Sequence, residues 1–333
     1  MSIHSVRARL ARAGLHRPVG WLRNLGLHPN DVFIASHGRS GDTMLRFILG
    51  EILSGTPTSF DNIQQIVPEI GVHSKALALL PGNGRLIKTH ELYSRKYKRA
   101  IYLIRDVRDA MLSFFARETA VGCIHPAYRN LDDYIPAFLH GKVTHFGRWQ
   151  EHVEGWMNSP LAQRGDLLLV RFEDMRQDPE LTIARCLDFL GRSADPSVVQ
   201  DALQNNSLER MRAKENEAKK FPKSPGEQGR QVGRGAVEGW RQRLTRRQLE
   251  IVDECAGHIL ARFGYATEVP GSVAERRPRH PAGVQLSMIP AVTSAPCPWQ
   301  VPYLRADKCD SANRPLHVRL GGRIANLFSW YRY

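Results

Sequence analysis

Between Asp31 and Leu49 the chain runs from a continuous apolar stretch through a turn with two glycines into a second apolar stretch of different spacing, an order that few folds accommodate. Asp31-Val32-Phe33-Ile34-Ala35-Ser36 reads as a buried strand, and Thr43-Met44-Leu45-Arg46-Phe47-Ile48-Leu49 has helix-compatible spacing. The intervening His37-Gly38-Arg39-Ser40-Gly41-Asp42 therefore aims backbone N–H groups and the positive end of a helix dipole at one spot, which makes an anion site. Further strands are expected at 85–88, 99–105 and 166–172, separated by helical patterns. Continuous apolar strands alternating with helices indicate a parallel α/β sheet covered on both faces.

Ligands of such sheets bind beyond the carboxyl ends of the strands. Arg39, Lys88-Thr89-His90 and Arg105 fall at those ends, so a basic cluster stands where the ligand belongs. The stretch from Arg210 to Gly239 reads as a long loop of the lid or binding kind, and a last helix is expected near Thr245 to Phe263. Glu173 and Asp174 are expected to cap the helix after the fourth strand and to pair with Arg171 or Arg176.

Charge narrows the ligand class. Of the formal net charge of +14, the segments 1–30 and 271–333 carry +11, which leaves +3 for residues 31–270. A duplex-binding core would be more basic than that, and a small anion in a local pocket fits better. Apolar runs are too short for a membrane-spanning helix and no secretory signal is evident, which makes cytoplasmic the default location. The five cysteines are scattered without a C-x-x-C pair, against both a disulfide scaffold and a cysteine zinc site. His73, His125, His140, His145 and His152 lack metal-ligand spacing and receive no role. Ile3, Val6, Leu10 and Ala13 share one helical face apart from Arg7, Arg9 and Arg12; the pattern suits a segment lying on an anionic membrane, a helix packed on the core or a transit peptide. Eight prolines between Pro270 and Pro315 set the C-terminal tail outside the core.

The loop is neither a Walker A sequence, since no Gly-Lys-Ser/Thr closes it, nor G-x-G-x-x-G, which disfavours a nucleotide triphosphatase and a dinucleotide oxidoreductase. Its companions, in order, are Arg85-Leu86-Ile87-Lys88-Thr89-His90, then Arg105 with Ser113 eight residues later, then Phe172-Glu173-Asp174 after a strand. With these in register the chain resembles, over residues 31–265, the sulfotransferases that use 3′-phosphoadenosine 5′-phosphosulfate (PAPS). The family's phosphosulfate loop, Tyr-Pro-Lys-Ser-Gly-x-Thr-Trp, is similar to His37-Gly38-Arg39-Ser40-Gly41-Asp42-Thr43-Met44; Lys88-Thr89-His90 matches its Lys-Thr-His; and Ser207-Leu208-Glu209-Arg210-Met211 resembles its adenine-contacting turn.

The resemblance implies a single three-layer α/β domain with a central parallel sheet, P-loop-like and nucleotide-binding, at 31–265, between a basic amphipathic segment 1–30 and a proline-rich basic tail 266–333. It implies transfer of a sulfuryl group from PAPS to a hydroxyl or amine of a small molecule, lipid or glycan, with adenosine 3′,5′-bisphosphate (PAP) as product, no metal and no nucleic-acid partner. His90 would be the general base, with Lys88 and Arg39 stabilising charge on the transferred group. Donor contacts would come from Gly38, Arg39, Ser40, Gly41, Asp42, Thr43, Met44, Arg105, Ser113, Phe172, Ser207, Arg234 and Gly235. Several positions depart from the family pattern. Arg39 stands for Lys, Met44 for Trp and Phe172 for Tyr, and Gly233 stands where the family's Arg-Lys-Gly-x-x-Gly-x-Trp begins with Arg, with Arg230 the nearest substitute. Arg241, Thr245, Arg246 and Glu250 match the family's dimer motif only in part. Asp42, an anion inside an anion loop, is expected to cap the first turn of its helix. The alternatives to weigh are a nucleotide kinase, for which Asp42 is the nearest magnesium-binding acid, and a nucleic-acid- or membrane-binding protein that works through its basic ends.

Overall fold

Every residue of β1 (Val32–Ser36) is buried, and the strand owes this to neighbours on both edges as well as both faces. The computed structural model describes residues 23–144, 146–218, 232–233 and 235–266. Within them, β1, β2 (Leu86–Thr89), β3 (Arg99–Ile104) and β4 (Leu167–Arg171) form one parallel sheet of order β2-β1-β3-β4. Phe33 lies opposite Ile87 on one side and Ala100 on the other.

Strand periodicity sorts the side chains into two cores. Phe33, Ala35, Ile87, Tyr102 and Ile104 point to one face, where they meet Met111, Phe138, Trp156 and Ile259; Val32, Ile34, Leu86, Ile101 and Leu103 point to the other, against Leu45, Ile48, Ile183 and Ala202. These partners come from helices that cover both faces. In chain order the helices are α1 (Asp42–Ser54), α2 (Ile63–Ile66), α3 (Val107–Ala120), α4 (Leu131–Leu139), α5 (Trp149–Met157), α6 (Pro160–Arg164), α7 (Phe172–Gln177), α8 (Pro179–Phe189), α9 (Pro196–Asn205), α10 (Leu208–Glu217) and α11 (Arg246–Arg262). At about 1.5 to 3 kcal/mol per large buried apolar side chain, these two cores supply the main driving force for folding. The result is the expected three-layer α/β domain with a parallel sheet.

The chain leaves β1 for β2 on one flank, then crosses back to β3 on the other. Strand order reverses at β1, so a crevice opens beyond its carboxyl end, where the Gly38–Gly41 loop lies.

Two local expectations change. The stretch 210–239 is not all loop: α10 runs to Glu217, started by Ser207, whose side chain accepts from the Arg210 N–H. Met211 is its sole buried residue, so no apolar stripe announces the helix. Neither Glu173 nor Asp174 caps α7. Asp174 does pair with Arg171 at 3.5 Å, whereas Glu173 accepts from the Asp106 N–H at 3.0 Å and the Tyr265 hydroxyl at 2.9 Å, tying α7 to the start of α3 and the end of α11. The last helix falls where expected, opened by a capping box between Thr245 and Gln248. No described helix is long and apolar enough to cross a membrane. Residues 1–22 of the amphipathic segment, residues 267–333 of the proline-rich tail, Arg230 and Arg234 lie outside the described residues.

Candidate active site

The loop after β1 is shaped by backbone conformations that most residues avoid. Gly41 sits at φ 95° immediately before α1, and a Cβ there would collide with the Phe172 ring; a Cβ on Gly38 would lie 2.7 Å from Phe114 and 2.9 Å from Phe146. Gly41 is required by dihedral as well as by space, and Gly38 by space. Arg39 holds φ 65° without that excuse, a strain of about 1 to 2 kcal/mol that the surrounding contacts hold in place. Inside the turn the Ser40 hydroxyl donates to the His37 carbonyl at 2.6 Å. Thr43 is partly buried, and Met44 packs toward the core on the α1 face of the sheet.

Two groups of side chains flank this loop. The first gathers at the end of β2. The Lys88 ammonium is buried, 2.9 Å from Asp42 Oδ2 and 3.1 Å from Glu69 Oε1. His90 Nε2 stands 3.6 Å from the same Asp42 oxygen, while its Nδ1 lies 2.8 Å from the Ser36 carbonyl. That carbonyl accepts only, so Nδ1 carries the proton and Nε2 keeps its lone pair. Asp42 thus makes no cap hydrogen bond; it holds the lysine. Burial alone would raise its carboxyl, but Lys88 and then His90 outweigh burial and hold it at about 2. Burial works against the Lys88 charge, yet Asp42 and Glu69 leave its pKa raised. The His90 ring is lowered, first by burial and then by Lys88.

The second group gathers at the end of β3. Arg105 donates to the Arg39 carbonyl at 2.9 Å and the Ala236 carbonyl at 2.8 Å, and its guanidinium lies 4.4 Å above the Phe172 ring. Its buried Nε has no hydrogen-bond partner among the described residues. Arg39 Nε donates to the Ser113 hydroxyl at 3.0 Å. Burial, then the nearby Arg117 and Arg105, lower the Arg39 pKa to about 10, which still leaves it charged at neutral pH. Several guanidinium groups drawn this close are what an anion would relieve.

Residues 235–240 lie against this group: Ala236 offers its carbonyl to Arg105, Trp240 N–H donates to Asp109 Oδ1 at 3.0 Å, and Gly235, at φ 62°, lies near Leu208 beside Ser207. A Cβ on Gly233 would lie 2.8 Å from Arg39 Nη2. The bare glycine therefore leaves the room that the Arg39 guanidinium uses on its way to Ser113. Arg39 thus faces the Ser113 group and not the Lys88–His90 group.

Sequence reasoning missed a set of aromatic and imidazole rings behind His90. His152 is fully buried on the inner face of α5, its Nδ1 2.9 Å from the Tyr102 hydroxyl and its Nε2 3.2 Å from the His90 carbonyl. His37 is equally buried among Phe114, Phe138, Phe146 and His152, and burial drives its imidazole to about 3. The Phe146 ring stands 4.8 Å from the His90 ring. One signal was available: Trp149, Val153 and Trp156 define a buried helical face on which His152 also falls. Glu69, in a loop before β2, had none.

A parallel sheet, a glycine-bound loop at its switch point and paired basic clusters define an enzyme that handles a multiply charged anion. The sulfotransferase domain matches residues 29–264, and the chain belongs to the sulfotransferase family. Rat sulfotransferase 1A1 is 27% identical over 212 residues, 58% of this chain and 71% of the rat protein. The crystal structure of mouse sulfotransferase SULT7A1 complexed with PAP superposes with a TM-score of 0.57 at 21% identity, covering 72% of this chain and 87% of the mouse chain. Retinol dehydratase in complex with androsterone and inactive cofactor PAP gives 0.55 at 19% identity, with 75% and 85% covered. The protein is thus a sulfuryl-transferring enzyme.

Proposed function

We propose that residues 31–265 transfer a sulfuryl group from PAPS to a hydroxyl or amine of a small, largely apolar acceptor, with His90 as the general base. One observation carries this reading: Arg39, Lys88, His90 and Arg105, from the loop after β1 and the ends of β2 and β3, converge on one glycine-bound turn. The fit to an anionic donor is local and physical. The loop lacks side-chain bulk at Gly38 and Gly41, and Arg105 Nε has no acceptor among the described residues.

The donor, when bound, supplies the sulfuryl group and a phosphate leaving group. The chain's own residues do the rest. His90 accepts the acceptor's proton at Nε2, the nitrogen left bare by the Nδ1 contact to Ser36. Lys88 offers its ammonium to charge that develops during transfer, and the loop N–H groups with Arg39, Ser113 and Arg105 hold phosphates. Phe172 supports Arg105, while Ser207 and Gly235 border the nucleotide side. The Phe146 ring beside His90 favours an apolar acceptor over a glycan.

The test is direct: purified chain is incubated with sulfur-labelled PAPS and separately with a phenol, a hydroxysteroid, a long-chain alcohol and an oligosaccharide. Labelled product from one of the first three is the expected result. Failure to bind PAP in calorimetry, together with no labelled product, would overturn the reading.

A further inference from the structure

Asp42 is an awkward residue for a loop that receives anions. It is 4% exposed, it is the first residue of α1, and its carboxylate faces the crevice side where Lys88 and His90 meet. In the first turn of α1 it gains about 0.3 to 1 kcal/mol from the helix dipole, which an exposed acid would gain as well and which does not call for burial. Lys88 is no explanation either, because Glu69 already offers the ammonium a carboxylate at 3.1 Å. What Asp42 alone adds is an oxygen shared between Lys88 at 2.9 Å and His90 Nε2 at 3.6 Å.

We propose that Asp42 is a positioning residue for sulfuryl transfer, whose carboxylate receives the imidazolium that forms when His90 takes the acceptor's proton, at the expense of donor affinity. The inference rests on His90 being the base. During transfer the acceptor oxygen forms its bond to sulfur, the bond from sulfur to the bridging phosphate oxygen breaks with its electron pair leaving on PAP, and the acceptor proton moves to His90 Nε2. That nitrogen then carries an N–H beside Asp42 Oδ2, and the new positive charge finds a fixed partner.

The other groups around His90 leave this work to Asp42. Lys88, two residues back on the same strand, opposes any charge on the ring. Glu69 supports it but is half-exposed at 43% and holds Lys88. His37, behind the loop, and His152, on α5, are held neutral by burial. Phe146 offers only a ring face. Of the neighbours, Asp42 is the buried anion at contact range.

The test compares Asp42→Asn, Asp42→Ser and Glu69→Gln in the full chain. The ring titration of His90 is followed by NMR with the protein alone, and kcat against pH is followed with saturating PAPS and acceptor. Removing the Asp42 charge is expected to move the His90 titration and the acidic limb of kcat down by about one pH unit or more. It is also expected to reduce kcat at neutral pH by at least about tenfold and to tighten PAP binding, since a like charge has left the donor site. Glu69→Gln should move the titration less. Unmoved titration and limb in both Asp42 variants overturn the inference, as does a larger shift in Glu69→Gln. Should His90→Ala itself keep normal turnover, the reading of His90 as base fails instead, and the two failures are told apart.

Discussion

The two ends of the same strands treat charge in opposite ways. At the amino end, Asp31 lies just before β1 and Arg85 just before β2, fully paired. Arg85 reaches Asp31 through Nε at 2.9 Å and Nη2 at 2.6 Å, and its remaining donors go to the His73 and Gly26 carbonyls, while Asp31 also accepts from the His28 N–H. At the carboxyl end, Lys88 and His90 share one Asp42 oxygen, Arg105 keeps an unbonded Nε, and Arg39 strains its backbone to reach Ser113. One end spends its charges on itself. The other holds them for something that arrives. Similar residue types thus serve stability where they are matched to one another and, on the proposed function, chemistry where the matching is incomplete.

The sharpest way to break this comparison is at the carboxyl end. His90→Ala is expected to cut kcat by about 10² to 10⁴ while PAP binds in calorimetry as tightly as before. Near-normal turnover at saturating acceptor would make His90 a structural residue and erase the contrast.

Next in size is the amino end. Asp31→Ala leaves the partly buried Arg85 guanidinium without its fork and should lower the unfolding free energy by about 3 kcal/mol in denaturant melts, with kcat of the folded fraction unchanged. A loss of turnover out of proportion to the folded fraction would show that the two ends are coupled.

The smallest effect concerns His37, which supports the site as a neutral ring. Its folded pKa of about 3 lies below the ordinary value of 6.5, so the unfolded chain binds the extra proton first. Stability from this group is fully present above pH 6.5 and is lost as pH falls from there toward 3, at about 1.4 kcal/mol per unit. Urea midpoints that stay flat between neutral pH and pH 5 would contradict it.

How much of this was legible in the sequence follows from what each residue depends on. The strands were readable because parallel strands are apolar throughout, and Arg39, Lys88, His90 and Arg105 were readable because each lies within three residues of such a strand's carboxyl end. Their division into two groups was not. That Arg39 turns toward Ser113 depends on the empty space above Gly233, 194 positions further along the chain. Asp42 was misread as a cap because capping is a local rule, whereas its partner Lys88 comes from another strand. The charged helix α10 gave no periodic signal, having one buried side chain.

The grip on His90 has a consequence for how the enzyme would respond to ionic strength. The ring is held by the Ser36 carbonyl and the residue's own carbonyl by the His152 imidazole, both uncharged partners. Dissolved salt screens interactions between charges and leaves such neutral contacts almost untouched. In its proposed role His90 therefore keeps its aim as ionic strength rises, while the long-range attraction that draws an anionic donor toward Arg39 and Arg105 weakens, so added electrolyte is expected to slow donor capture without disarranging the ring.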